Sequence, residues 1–169
     1  MSERTDAVEA ILERYRQNAD GGSDERFMSC ALELAEAAGR MGEVPVGAVL
    51  VRNGEILCGD CNGREETKNA LYHAEMSVIR QGCALLGGWR LTGCTLYVTL
   101  EPCPMCAGAV WNARLSRVVY GAKDARAGAM GSLIHLNSYP LNWKPEVTSG
   151  VLAAECQLML RRFFSARRG

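Results

Sequence analysis

Apolar positions recur every three to four residues in some stretches of the chain and form short continuous runs in others. The first pattern predicts amphipathic helices and the second predicts buried strands. Ser23 fits a helix N-cap, Gly39 fits the stop of the same helix, and Asn53-Gly54 is a strong hairpin signal. The predicted helices cover residues 3–17, 24–38, 74–86, 103–113 and 152–166, and the predicted strands cover residues 46–51, 55–61, 95–100, 117–120 and 146–148.

Strands that alternate with helices predict an α/β fold. We expect a three-layer α/β/α sandwich around one mixed, mostly five-stranded sheet. The turn-forming residues 18–22 separate an N-terminal extension, residues 1–22, which can form a helix, from a main domain at residues 23–169. A length of 169 residues suits a single such domain.

Charge and hydropathy narrow the classes of protein that the chain can represent. No apolar run approaches the ~20 residues of a membrane helix, and the first residues lack the parts of a signal peptide. We therefore expect a cytoplasmic protein with no membrane partner. The net charge is zero, but residues 111–169 carry nine basic and three acidic side chains, a balance of +6. This excess indicates an anionic partner such as nucleic acid, or else arginines that complement a solvated helix end.

Eight cysteines without a secretory signal indicate metal ligands, a redox pair or small buried apolar groups. Cys58 and Cys61 lie in a predicted strand, where an odd offset directs side chains to opposite faces. We interpret them as packing residues, with a redox pair as the alternative. Cys103 and Cys106 open a predicted helix, where residues three apart share a face and the helix N-terminus favours thiolates. These two can bind one metal ion.

His73 is the obvious third ligand for that ion. One histidine and two cysteines leave the fourth tetrahedral position for water, which distinguishes a catalytic zinc site from a closed structural one. Glu75 follows two residues later, so it does not point at the same ion but can take and redeliver the proton of the water. Each residue alone has a structural interpretation: a core histidine, a surface glutamate, an inert cysteine pair. Their combination is far more specific.

Histidine–x–glutamate followed by proline–cysteine–x–x–cysteine is the signature of zinc-dependent base deaminases. Over roughly residues 25–168 the chain resembles the bacterial tRNA adenosine deaminases of the cytidine deaminase superfamily. The segments that carry the resemblance are residues 43–49, 73–75, 96–108, 121–124 and 131–133. The zinc motifs alone also fit cytosine, cytidine or guanine deaminases, whereas residues 121–133 favour the tRNA enzymes. The resemblance implies a cytidine deaminase-like fold and makes residues 23–169 a zinc-dependent deaminase domain.

The same resemblance implies the chemistry. Its zinc ligands correspond to His73, Cys103 and Cys106, and its proton shuttle corresponds to Glu75. The implied reaction is hydrolytic deamination of adenosine to inosine at the wobble position of a tRNA anticodon. The implied partners are the anticodon stem-loop and a second copy of the chain, since the members of the family are homodimers.

The resemblance also implies a substrate site formed by Asn62, Val46, the backbone at Ala74, and Asp124. The Asn62 amide suits a purine edge because it offers a donor and an acceptor, although Asn62-Gly63 is also a turn signature. Asp124 can accept a hydrogen bond from a ribose 2′-hydroxyl. Trp143 stands where family members often have histidine, and it either stacks on a flanking base or simply packs.

Two rival functions stay open at this point. The first is a free-base or nucleoside deaminase of the same fold, acting on guanine or cytosine compounds. The basic excess of residues 111–169 argues mildly against it, because a small neutral substrate does not require basic residues for binding. The second is a non-catalytic, zinc-stabilised RNA-binding module. That module predicts a closed four-ligand site and has no use for Glu75.

Overall fold

Five strands form one mixed sheet in the computed structural model of the protein, which describes residues 2–18 and 21–168. The strands are β1 (Gly47–Arg52), β2 (Glu55–Cys61), β3 (Cys94–Leu100), β4 (Arg117–Ala122) and β5 (Glu146–Ser149). The helices are α1 (Glu3–Gln17), α2 (Asp24–Arg40), α3 (Arg64–Thr67), α4 (Ala74–Leu86), α5 (Pro104–Asn112) and α6 (Ala153–Arg167), and a 3₁₀ turn spans Leu136–Ser138.

The order of strands across the sheet is β2-β1-β3-β4-β5. Strand β1 runs antiparallel to both of its neighbours, whereas β3, β4 and β5 run parallel to one another. Strands β2 and β3 therefore point in the same direction, and their carboxyl ends meet at one edge of the sheet. The chain leaves this edge towards α4 after β2 and towards α5 after β3, so both helices begin there.

Two hydrophobic clusters cover the two faces of the sheet. On one face Leu50, Leu96 and Val118 pack against residues of α4 and α5, such as Val78 and Val110. On the other face, α1, α2 and α6 cover strand residues that alternate with the first set. The predicted three-layer α/β/α sandwich around a five-stranded mixed sheet is confirmed.

The two strand cysteines follow the same alternation. Cys58 belongs to the cluster beneath α4, and Cys61 belongs to the cluster beneath α1 and α2. Both thiols are buried, and burial raises the pKa of each to about 12, which suppresses the reactive thiolate. The prediction that they pack on opposite faces is confirmed, and one disulfide cannot join them across the sheet.

Most predicted elements are present, and glycines account for two of the differences. Helix α2 runs through Gly39 to Arg40, and the left-handed residue after it is Gly42, with φ of 81°. Strand β4 continues through Gly121 to Ala122. Gly121 does not stop the strand; it lets α6 approach, since a Cβ there would collide with the Cys156 sulfur. The short α3 and the 3₁₀ turn were not predicted.

Helix α1 packs onto the sheet rather than extending away from it. Ser2 accepts a hydrogen bond from the Thr5 amide as its N-cap, and Val8, Ile11 and Leu12 are buried in the cluster shared with α2. The helix predicted at residues 3–17 is confirmed. Of the predicted break at residues 18–22, Ala19 and Asp20 lie outside the described residues. No helix among the described residues has the length and apolar character needed to cross a membrane.

Candidate metal centre and active site

His73, Cys103 and Cys106 meet where α4 and α5 begin. His73 is the N-cap of α4, Cys103 is the N-cap of α5, and Cys106 lies in the first turn of α5. Pro104 fills the first position of α5, where its missing N–H costs nothing. The predicted start of this helix at Cys103 is therefore one residue early. The two helix N-termini bring the three side chains together at the sheet edge.

The geometry of the three ligands fits a tetrahedral zinc ion. The His73 Nδ1 atom lies 3.7 Å from the Cys103 sulfur and 3.6 Å from the Cys106 sulfur. Zinc at about 2.3 Å from sulfur and about 2.0–2.1 Å from nitrogen separates those atoms by about 3.6 Å. Among the described residues these three alone form a group whose ligating atoms all lie within 4.8 Å of one another. Glu75 does not join that group.

The protonation of the two sulfurs differs before any metal binds. A hydrogen bond between the sulfurs lowers the pKa of the Cys103 thiol to about 4 and raises that of Cys106. A hydrogen bond to Cys103 also raises the pKa of His73. The cluster therefore holds a thiolate at neutral pH, which is the form that a metal ion requires.

Glu75 is a buried carboxyl group beside this cluster. It is only 4% exposed, and burial raises the pKa of its carboxyl group to about 7. A group with a pKa near the operating pH can both accept and return a proton. Glu75 lines a cavity of about 160 Å³ together with His73 and Cys103.

Two of the predicted substrate residues, Val46 and Asn62, line the same cavity. The Asn62 amide is fixed by the protein: its Oδ1 accepts a hydrogen bond from the Ala74 amide at 3.1 Å, and its Nδ2 donates to the Val44 carbonyl at 3.1 Å. Ala74 itself is fully buried and does not line the cavity. Its N–H group is engaged with the Asn62 side chain, so the contact that the structure shows at Ala74 is with Asn62 and not with the cavity.

Asp124 also lines the cavity, from the loop that follows β4. Its Oδ1 accepts hydrogen bonds from the Arg126 and Ala127 amides. This turn fixes the direction of the carboxylate, and the structure brings Asp124 to the cavity together with Val46 and Asn62.

Two charged residues that the sequence did not predict, Arg64 and Glu101, also line the cavity. Arg64 follows Asn62 by two residues and sits at the exposed start of α3. Glu101 is 2% exposed and accepts hydrogen bonds from the Asp124, Met130 and Ser132 amides. No spacing rule identifies Glu101, because its partners lie 23 to 31 residues away.

Trp143 packs against the protein. Its indole N–H donates to the Leu115 carbonyl at 2.8 Å. Leu115 precedes β4, whereas the cavity lies beyond the carboxyl ends of β3 and β4, so Trp143 is at the far edge of the sheet. Of its two predicted roles, packing is the one that the structure supports.

Comparison with known proteins agrees with this site. The cytidine and deoxycytidylate deaminase zinc-binding region matches residues 22–122. The tRNA-specific adenosine deaminase of Bacillus subtilis is 51% identical over 146 residues, which cover 86% of this chain and 91% of that protein.

Two solved structures share the fold and also have substantial sequence identity to this chain. One, from a study of A-to-I editing by tRNA:A34 deaminases at the wobble position of transfer RNA, is 44% identical, with a TM-score of 0.77 over 79% of this chain and 98% of that one. A guanine deaminase from Bacillus subtilis is 38% identical, with a TM-score of 0.59 over 64% of this chain and 69% of that one. The chain therefore belongs to the family of tRNA-specific adenosine deaminases, within the larger group that shares the cytidine and deoxycytidylate deaminase zinc-binding region.

Proposed function

We propose that the chain uses zinc to hydrolyse adenosine to inosine at the wobble position of a tRNA anticodon. The observation that carries this proposal is one cavity where a three-ligand cluster, a buried carboxyl group and a fixed amide converge: His73, Cys103, Glu75 and Asn62 line it, and Cys106 completes the cluster. The relatives that are named tRNA-specific adenosine deaminases support the choice of substrate.

The reaction replaces the exocyclic amine of adenine with an oxygen from water and releases ammonia. His73, Cys103 and Cys106 would hold a zinc ion, which would supply a water activated for attack at neutral pH. Glu75 accepts one proton from the attacking water and delivers it to the ring nitrogen. It then takes the proton of the new hydroxyl group on C6 and delivers it to the amine, which leaves as ammonia while the C6 carbonyl forms. Its pKa near 7 suits both directions of transfer.

The fixed Asn62 amide orients the base. Since one Nδ2 hydrogen is used on Val44, the other hydrogen is free to donate to an acceptor of the purine ring. Val46 supplies an apolar surface beside the base. Asp124 accepts a hydrogen bond from the ribose 2′-hydroxyl, which distinguishes RNA from DNA.

A larger groove of about 700 Å³ adjoins the cavity and shares Asp124 with it. Lys123, Arg126 and Arg168 line this groove, and none of them forms an ion pair with a described residue. Phe164, which is 41% exposed, lies among them. Cations beside an exposed aromatic ring suit the phosphates and bases of single-stranded RNA. This groove is our candidate surface for the nucleotides that flank the wobble base.

We further propose that the protein is a homodimer and acts in the cytoplasm, where its tRNA substrate is found. Four large apolar side chains near the site are exposed: Leu71, Leu133, Ile134 and Tyr139. Leu71 stands two residues before His73, and the other three belong to the loop that Glu101 organises. A second copy of the chain would cover these side chains and extend the RNA surface.

The three-ligand cluster also bears on the rival functions. A closed structural zinc site needs a fourth protein ligand, and no described residue supplies one. That finding disfavours a non-catalytic module. A guanine or cytosine deaminase would use the same cluster, so only an assay that compares substrates can distinguish it from the proposed enzyme.

The decisive experiment compares substrates on zinc-loaded protein. We expect inosine from an anticodon stem-loop but no product from free adenosine, guanine or cytidine at matched concentration. Glu75→Gln should lower kcat by about 10²–10⁴ because it removes the proton carrier. The control Glu36→Gln, an exposed residue of α2, should match the wild type. Product from guanine alone, or equal turnover by Glu75→Gln, would rule the proposal out.

A further inference from the structure

The side chain of Arg4, in α1, contacts the segment of chain that carries two of the active-site residues. Arg4 is only 9% exposed, although its guanidinium group carries a positive charge. Its Nη1 donates to Asp60 Oδ1 at 2.7 Å, and its Nε donates to Glu66 Oε2 at 2.7 Å. Its guanidinium lies over the Tyr72 ring, 4.5 Å from the centroid. A buried arginine is stable only with such partners, so this position is built around them.

These partners are distributed along one stretch of chain, residues 60–73, which carries two of the site residues. Asp60 stands two residues before Asn62, and Tyr72 stands immediately before His73. Glu66 lies between them in α3. Arg4 thus contacts the beginning, the middle and the end of the stretch that joins the base-contacting asparagine to the metal-ligating histidine.

Asp60 extends the contact into α4. Its Oδ2 accepts hydrogen bonds from the hydroxyl groups of Tyr72 and Ser77, and Ser77 lies one helical turn after His73. The carboxylate therefore links the end of β2 to the first turns of α4. Arg4 supplies the positive charge that balances this buried acid.

The stretch is also closely packed against Arg4. A Cβ at Gly63 would lie 3.1 Å from the Tyr72 ring and 3.3 Å from Arg4 Nε. The Glu66 amide donates to Glu43 Oε1 at 2.8 Å, which is a further contact that holds α3. Loss of the arginine would leave a gap and an unbalanced carboxylate in a region with little freedom to readjust.

We infer that Arg4 is a positioning residue that holds residues 60–73, and with them Asn62 and His73, in their active arrangement. Helix α1 lies before residue 22, where the match to the deaminase region begins, so the family resemblance does not supply this role. The effect on turnover rests on the proposed deaminase activity. The effect on the mobility of residues 60–73 does not.

The test replaces Arg4 with methionine, which keeps the length of the side chain and removes its charge. We expect faster amide hydrogen exchange in residues 62–73 of the metal-free protein and a fall in kcat of about 10- to 100-fold, because small displacements of reacting groups are costly. Arg4→Lys should recover part of both effects. The control is Arg14→Met on the same helix, whose exposed pair with Glu33 is remote from this stretch.

The inference is overturned if Arg4→Met only lowers the melting temperature, with hydrogen exchange and kcat equal to those of Arg14→Met. Should Arg4→Met fail to fold, Glu66→Gln decides the matter, since it weakens one contact on the exposed side. Faster exchange in residues 62–73 of that variant supports the inference, and unchanged exchange refutes it. If the wild-type protein shows no activity on the stem-loop, the proposed function is contradicted. The hydrogen-exchange result still tests the positioning role of Arg4 independently.

Discussion

Glu101 shows how one buried side chain can arrange a wall of the site. Burial alone raises the pKa of a carboxyl group, but hydrogen bonds from Ser132, Asp124 and Met130 outweigh it and hold the pKa of Glu101 below its usual value. A Cβ at Gly128 would collide with the same carboxylate. The loop that presents Asp124 is therefore folded around a single negative charge.

We expect Glu101→Gln to loosen this loop. The amide nitrogen would face a backbone donor, which should destabilise the fold by about 1–3 kcal/mol. It should also raise KM for the stem-loop more than it lowers kcat, because Asp124 would lose its fixed position. Urea unfolding and steady-state kinetics measure the two effects. Glu55→Gln on the exposed hairpin is the control, and equal stability of the two variants would contradict this account.

At the scale of elements, Asp24 ties the start of α2 to the sheet. Its two carboxylate oxygens accept hydrogen bonds from the Arg117 guanidinium of β4 at 2.9 and 2.8 Å, and Tyr97 of β3 donates to Oδ1 at 2.8 Å. The Arg117 hydrogen bonds lower the pKa of the Asp24 carboxyl below its ordinary value of 3.8. One carboxylate thus joins a helix to two parallel strands.

This pairing predicts a loss of stability in acid. The Asp24 carboxylate takes up its proton at a higher pH in the unfolded chain than in the folded one. Its contribution to the free energy of unfolding is therefore complete above about pH 5 and is lost as the pH falls through the folded-state pKa. We expect Asp24→Asn to lower the free energy of unfolding by about 1 kcal/mol at pH 7, with a smaller difference at pH 3. Urea unfolding at both pH values measures this; a difference that is constant with pH would contradict it.

At the scale of the whole molecule, three basic residues of the last third lie together beside the site. Lys123, Arg126 and Arg168 come from the loop after β4 and from the end of α6, and they line one groove beside the cavity. The net charge of zero conceals this arrangement, because most of the acidic residues lie in the first two thirds of the chain and Asp124 is the acidic residue among those that line the groove. Local charge rather than total charge governs binding of an anionic ligand.

We expect Arg168→Ala to weaken binding of the anticodon stem-loop and to reduce the slope of log Kd against log salt by about one, which is the loss of one phosphate contact. The control is Arg52→Ala at the opposite edge of the sheet, where β1 ends. Fluorescence anisotropy of a labelled stem-loop at several salt concentrations measures both variants. Equal slopes for Arg168→Ala and the wild type would remove the groove from the RNA surface.

Local patterns alone predicted most of the elements of this fold. Helix α4 spans Ala74–Leu86 and strand β2 spans Glu55–Cys61, as their periodicity and flanking turns indicate. These elements were predictable because their caps, turns and apolar faces act over a few residues. Gly121 was misjudged because a glycine also permits close contact with a distant segment, here Cys156 of α6, which no local pattern reveals. Gly39 was misjudged because the helix simply continues to Arg40.

The sequence by itself determined the chemistry: His73, Glu75, Cys103 and Cys106 have a spacing and a set of functional groups that few other sites share. Only the tertiary structure decided what surrounds them, namely the carboxylate of Glu101, the fixed amide of Asn62 and the guanidinium of Arg4. The physical reason is the separation along the chain between the residues that interact. The spacing of Cys103 and Cys106, and that of His73 and Glu75, are each set within one helix end, whereas the electrostatic field and the rigidity of the buried site come from residues that the sheet brings together across tens of positions.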